Sequence, residues 1–217
     1  MDDALPSKDT TPVWRVVPYQ TATPSELIVN VREVLPRDRS VIEAGYAQLS
    51  DRSRRLRYLS AHQFLSDAEL DDIVTNDGYH RMALGAEIKN VDSAPSPVGV
   101  ARYVRNLEQP DEAEFAITTA DEFHGLGIGM LLLGSLAKQA AFVGIDRFTA
   151  LVSPDNGAML HILQNLGGTQ EGASEDNICV TLPLTRSSRS YPDNPTGRRW
   201  KKAFGLTRLV QVDGTSD

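Results

Sequence analysis

The chain has 217 residues, 41% of them hydrophobic and 24% charged, the composition of a globular protein with enough apolar material for a core. A net charge of −7 argues against general nucleic-acid binding and permits a cationic partner. One cysteine, Cys179, excludes a disulfide framework and a cysteine-based metal site, and a reducing cytoplasm is the expected compartment.

Residues 1 to 25 hold Pro6, Pro12, Pro18 and Pro24 and are expected to form an arm, ordered where Trp14, Val16 and Val17 find a surface. The first residues, MDDALPSKDTT, are acidic and polar, unlike a leader peptide, and no apolar run approaches the length of about 20 that crosses a bilayer. LIVNVREVL alternates as a strand, and Pro36 then opens a helix with Val41, Ile42, Tyr46 and Leu49 on one side. Arg52, Arg54, Arg55 and Arg57 form a basic run, either a solvated helix face or a partner for phosphate. Ser66 and Glu69 make a capping box for a short helix. MALGAEI and VGVARYV predict two strands, and a turn at Pro110 leads into a further strand from Glu114.

That strand runs into glycines at alternate positions, Gly125, Gly127 and Gly129, and then into a helix carrying Ile128, Leu132, Leu136, Ala140 and Val143 at spacings of three and four, with Gly144 at its stop. Such a loop lets backbone N–H groups converge at a helix start, where they bind anions. No Lys follows as a P-loop requires, and the spacing GxGxG is not the dinucleotide fingerprint GxGxxG. Further on, Phe148 to Val152 predicts a buried strand, followed by a turn with Pro154 and Asp155 and a short helix ending at Gly167. Ile178 to Leu184 is the last expected strand, and residues 185–217 read as a basic tail with Arg198, Arg199, Lys201 and Lys202 around Trp200. This tail is either solvated or docked through Trp200, Phe204 and Leu206 so as to gate a neighbouring groove.

His124 followed by Gly127 and Gly129 resembles motif A of the GCN5-related N-acetyltransferases (GNAT), (Gln or Arg)xxGx(Gly or Ala), with His in the first place, and SPDNGAMLHILQNLGG resembles their motif B. The runs VGVARYVRN, DEAEFAITTAD and HGLGIGMLLLGSL resemble in particular the acetyltransferase domain of bacterial Pat-type protein lysine acetyltransferases. The resemblance implies an α/β (α+β) GNAT fold over residues 26–184, a mixed, mostly antiparallel sheet with helices on both faces and a V-shaped splay between the fourth and fifth strands. It implies acetyl-CoA as the acyl donor, with no metal, and a ligand cradle of Ile117, Thr118, Thr119, His124, Gly125, Leu126, Gly127, Ile128, Gly129 and Met130, joined by Asn156 at the next helix start. Glu114 takes the place of the family's general base, and a protein substrate such as an acyl-CoA synthetase is the implied acceptor, without nucleic acid or membrane. A small-molecule amine acetyltransferase and a non-catalytic acyl-CoA-binding regulator stand as alternatives.

The chemistry such a reaction needs can be set against these residues. A lysine amine, with a pKa of about 10.4, must lose a proton before it attacks. Glu114 is the candidate acceptor, and the small Ala116 leaves room for an amine or a bridging water. Glu108, Asp111, Glu112, Glu114, Asp121 and Glu122 crowd six carboxylates against Arg105, either as solvated surface or as a lure for a cation. The splay of the resembled fold implies that a backbone N–H near Ile117 or Thr118 serves the oxyanion. Where relatives carry a Tyr as acid for the leaving thiolate, this chain has Leu163, with His161 beside it.

Overall fold

The computed structural model describes residues 13–58, 64–88, 95–174 and 176–212; the start of the chain through Pro12 lies outside them. In chain order the elements are β1 (Val13–Val17), β2 (Tyr19–Ala22), β3 (Ile28–Glu33), α1 (Arg39–Ala47), α2 (Asp51–Tyr58), α3 (Asp67–Val74), β4 (Arg81–Ile88), β5 (Ser96–Arg105), β6 (Glu112–Thr119), α4 (Ile128–Phe142), β7 (Arg147–Val152), α5 (Gly157–Asn165), β8 (Thr169–Ala173), β9 (Ile178–Pro183), α6 (Pro195–Leu206) and β10 (Arg208–Val212).

Eight strands form one sheet in the order β2-β3-β4-β5-β6-β7-β9-β8, and β1 pairs with β10 in a separate ribbon. Every neighbour in the large sheet is antiparallel except β6 and β7. A parallel pair needs a crossover, and α4 supplies it. Its two faces are covered differently. Val34, Ala83 and Val100 pack with Tyr46, Leu49, Leu70 and Ile73 of the α1–α3 region, whereas Phe115, Phe148, Ala150 and Leu182 pack with α4, α5 and α6.

The arm is more regular than its prolines suggest. Pro18 separates two short strands, β1 and β2, and β2 extends the sheet beyond β3. Two buried polar side chains one turn apart on α4 hold this segment. Ser135 bonds the Tyr19 hydroxyl at 2.7 Å, and Gln139 donates to the carbonyls of Trp14 and Gly78, each at 2.8 Å. Trp14 meets Phe142 edge-on. Burial makes such groups costly without partners, so the pairings fix the register of the arm on the helix.

The basic tail is a packed helix and not a solvated segment. In α6, Trp200, Ala203 and Phe204 recur at spacings of three and four and are all buried, Trp200 completely. Asn194 caps the helix by accepting the Gly197 N–H at 2.8 Å, and its amide donates to the Asn165 carbonyl at the end of α5. Lys138 of α4 donates to the carbonyls of Phe204 and Thr207 at the other end. The fit of the two helices is close: a Cβ on Gly134 would come within 2.7 Å of the Ala203 Cβ. α6 docks on α4 and α5, on the face away from Glu114, so it does not gate a groove on that side.

Candidate functional site

The pairing of β6 with β7 runs only over Glu112↔Arg147, Ala113↔Phe148 and Glu114↔Thr149. Beyond Glu114 the strands part: β6 continues to Thr119 along β5 alone, and β7 continues to Val152 along β9. This is the splay expected between the fourth and fifth strands of the family core.

Strand alternation decides which backbone groups the splay releases. The Glu112 carbonyl and the Ala120 N–H both bond toward β5. Even-numbered residues of β6 therefore face β5, and the N–H groups of Phe115, Ile117 and Thr119 face the opening. Ile117 remains a candidate oxyanion donor; the Thr118 N–H points the other way, which corrects half of the expectation drawn from sequence.

Between the parted strands and the start of α4 lies a cleft of 590 Å³. Of the expected cradle, Ile117, Thr118, Thr119, His124, Gly125, Gly127, Ile128, Gly129, Met130 and Asn156 line it. Leu126 and Glu114 do not. Gly125 and Gly127 have φ of 76° and 91°, in the left-handed region, and Gly127 takes the N-cap place of α4 with no side chain to cover the helix end. The first amide to find a helical acceptor is that of Leu131, on the Gly127 carbonyl at 3.1 Å. The N–H groups of Ile128, Gly129 and Met130 are thus left at the helix end, with the positive pole of its dipole, as an anion cradle.

The side chains around this cradle hold its shape. His124 Nε2 donates to the Thr119 carbonyl at 3.0 Å, so it latches the loop to the released edge of β6, and only Nδ1 is left for a ligand. Asn156 lines the cleft and caps α5, its Oδ1 accepting the Met159 N–H at 3.2 Å. Asp121 accepts from the Ser50 N–H at 2.7 Å, from the Ser50 hydroxyl at 3.0 Å and from the Ser53 hydroxyl. Burial pushes its carboxyl up, but these bonds outweigh that and, with His124, hold it below the usual carboxylate range. The bonds tie the start of α2 to the loop, and so bring Arg52 and Arg57 to the cleft wall.

Sequence reasoning left the wall formed by Thr196 and Arg199 of α6 without a place in the site. The available signal was the Trp200, Ala203, Phe204 spacing, which marks a docked helix and hence a fixed position for its cations.

Glu114 is exposed at the apex of the splay, the last residue of β6 paired to β7. It pairs with Val104 on one side and Thr149 on the other, on the face shared with Ala116 and Thr118 and covered farther along by α1–α3. Thr149 pairs in turn with Thr181, and Leu151 with Cys179, which puts the single thiol on the same face. Burial, then Glu171, Glu112 and Glu114, push that thiol up and keep it protonated.

The six carboxylates of the acidic cluster differ in their partners. Arg147 of β7 pairs with Asp111 at 2.7 Å and Glu112 at 2.9 Å, and Asp121 is engaged with Ser50 and Ser53. Arg105 is buried against the Tyr79 ring and donates to the carbonyls of Tyr79, Pro110 and Val143. Glu108, Glu114 and Glu122 remain as the unpaired carboxylates of the six among the described residues. Leu163 is fully buried in the core and His161 is exposed off the cleft wall, so neither stands where an acid could meet a leaving thiolate. No group of His, Cys, Asp and Glu suited to a metal occurs among the described residues, and no helix there is long and apolar enough to cross a membrane.

No protein-family model matches the chain. The acetyltransferase Pat of Mycolicibacterium smegmatis is 45% identical over 67 residues, which are 31% of this chain and 20% of that protein, so the match spans about a fifth of the relative. An acetyltransferase of Pseudomonas aeruginosa is 28% identical over 152 residues, 70% of this chain and 81% of that one. Among solved structures, the GNAT domain of the S. lividans PAT superposes with a TM-score of 0.69 at 25% identity, covering 77% of this chain and 97% of that domain. With a β6–β7 splay over a glycine-capped helix start, the chain has the fold of the GCN5-related N-acetyltransferases and is similar in sequence and structure to acetyltransferases of the Pat type.

Proposed function

We propose that the protein transfers acetyl from acetyl-CoA to an amine, most readily a protein lysine, by direct attack in a ternary complex with Glu114 as general base. The observation that supports this reading is the position of Glu114, exposed to solvent at the point where the two strands part. In the reaction, the amine nitrogen bonds to the thioester carbonyl carbon, its proton passes to Glu114 directly or through one water, and the C–S bond breaks. The N–H of Ile117 faces the opening and supplies a donor for the oxygen that gains charge. A thiol of pKa about 8.5 is a tolerable leaving group near neutrality, which fits a chain with Leu163 where relatives carry the Tyr acid.

Direct attack is favoured over an acyl-enzyme because the single cysteine is kept protonated by burial and by its carboxylate neighbours. A small-molecule amine is the second reading, and one observation favours it. Three of the six carboxylates that suggested a lure for protein lysines already have partners. An acyl-CoA synthetase is the protein class the Pat likeness suggests as acceptor, in a cytoplasmic setting.

The test is transfer of labelled acetyl from acetyl-CoA to proteins of a cytosolic extract and to polyamines, with wild type and Glu114→Gln side by side. Label on discrete proteins, reduced about 10²- to 10⁴-fold by the substitution with coenzyme A affinity unchanged, is the expected result. Coenzyme A binding without label on any acceptor would make the protein a binding module and Glu114 ordinary surface.

A further inference from the structure

α6 carries four cations in two pairs, and they differ in their partners. Arg198 and Lys201, three residues apart, both reach Asp193 at 3.6 and 3.9 Å. Arg199 and Lys202, also three apart and therefore on one helix face, are exposed and have no carboxylate partner among the described residues. Arg199 lines the 590 Å³ cleft. With Lys202 it also lines a second, smaller recess that shares Gly127 and Met130 with the cleft. The helix that holds them is fixed by Trp200 and Phe204, buried between the two cationic positions and on the following turn.

Coenzyme A brings two different anions. Its pyrophosphate matches the free amides at the start of α4, and this uses the groups that the glycine loop provides. The 3′-phosphate of its ribose is a separate dianion that those amides cannot also serve. Near the same helix start, α6 presents two unpaired cations one turn apart, the arrangement a phosphate monoester needs for charge-assisted hydrogen bonds.

We infer that Arg199 and Lys202 bind the 3′-phosphate of coenzyme A, so that α6, outside the stretch resembling the family core, lets the protein select coenzyme A over its 3′-dephospho form. The inference rests on the acetyl-CoA reading above and adds a recognition site to it. Arg52 on α2 is the competing cation, since it too lines the cleft and has no ion-pair partner among the described residues.

Calorimetric titration of coenzyme A and of 3′-dephospho-coenzyme A separates the possibilities. Wild type is expected to prefer coenzyme A by roughly 10- to 100-fold, and Arg199→Ala/Lys202→Ala to lower that ratio below about 3 while leaving the affinity for the dephospho form unchanged. Arg198→Ala, on the Asp193 side, keeps the ratio, and a circular-dichroism melt of each variant reports that α6 is still docked. A wild-type ratio near one, a ratio retained in the double variant, or a ratio lost instead in Arg52→Ala overturns the inference while acetyl-CoA binding stands. Binding of neither form overturns the acetyl-CoA reading itself.

Discussion

Replacing Trp200 with Ala tests whether α6 belongs to the folded domain or decorates it. The indole is completely buried against Tyr191, at 5.2 Å between ring centroids, and lies in the same core cluster as α4 and α5. Removing a buried Trp costs about 3 to 5 kcal/mol, from lost burial and from the cavity left behind. A chain of this length unfolds with an entropy of about 0.45 kcal/mol/K near its midpoint, so the expected fall in Tm is about 7 to 11 °C. Such a loss is a large part of a domain's total of about 5 to 15 kcal/mol. Thermal unfolding followed by circular dichroism measures it, with Arg198→Ala as an exposed control on the same helix. Because α6 also carries Thr196 and Arg199 to the cleft, coenzyme A affinity should fall along with Tm. A Tm within about 2 °C of wild type would mean that α6 does not contribute its burial to the cooperative unit, and the account of the tail as core would be wrong.

Gly127→Ala places a side chain at φ 91°, with its Cβ 2.9 Å from Pro24 Cδ, and should cost about 1 to 2 kcal/mol together with a measurable loss of coenzyme A affinity by calorimetry. Gly129→Ala meets only ordinary contacts, 3.6 Å from Ile117 Cδ1 and 3.8 Å from Thr119 Cγ2, and should leave both stability and affinity near wild type. Asp121 has a carboxyl held below its ordinary value of 3.8, so the stability it contributes is present above that value and is lost as pH falls through the lower folded one. The Tm difference between wild type and Asp121→Ala should therefore be constant from pH 7 to 5 and shrink in a series continued to pH 3. Arg147→Met removes the cation that holds Asp111 and Glu112 at the base of the splay, and steady-state kinetics should show a larger loss in kcat than in coenzyme A affinity.

The strand, glycine loop and helix from Glu114 to Gly144 were legible because their logic is local: alternation, then glycines where φ turns positive, then an apolar helix. The same is true of Asn156, whose cap lies within three residues of its partner. What was hidden depends on distant pairing. Val13 and Val212 meet across nearly the whole chain, and no local pattern announces it. The partner of Asp111 and Glu112 is Arg147, one crossover helix away, so the acidic turn looked unneutralised. The docking of α6 did leave a trace on α4, which is apolar on more than one side. Leu131, Gly134, Ala141 and others beyond the sheet-facing stripe are buried, as in a helix that requires a second cover.

The cleft and the candidate base have a common origin in one register. Arg147 pairs with the side chains of Asp111 and Glu112, while the Asp111 carbonyl accepts the N–H groups of Asp146 and Arg147, so β6 and β7 are clamped at their parallel start. Three paired positions later the ladder ends, and the strands continue along different neighbours, β6 along β5 and β7 along β9. The residue at that end is Glu114. It is placed at the apex by the same step that turns the Ile117 amide toward the opening, at a strand rise of about 3.4 Å per residue, or roughly 10 Å farther along. In the proposed reaction, a thioester carbonyl near Ile117 would leave room between itself and Glu114 for an amine or an amine and a water. On that proposal the clamp at Arg147, Asp111 and Glu112 sets the distance through the register of β6 and β7. This is why Arg147, remote from the chemistry, is expected to act on kcat.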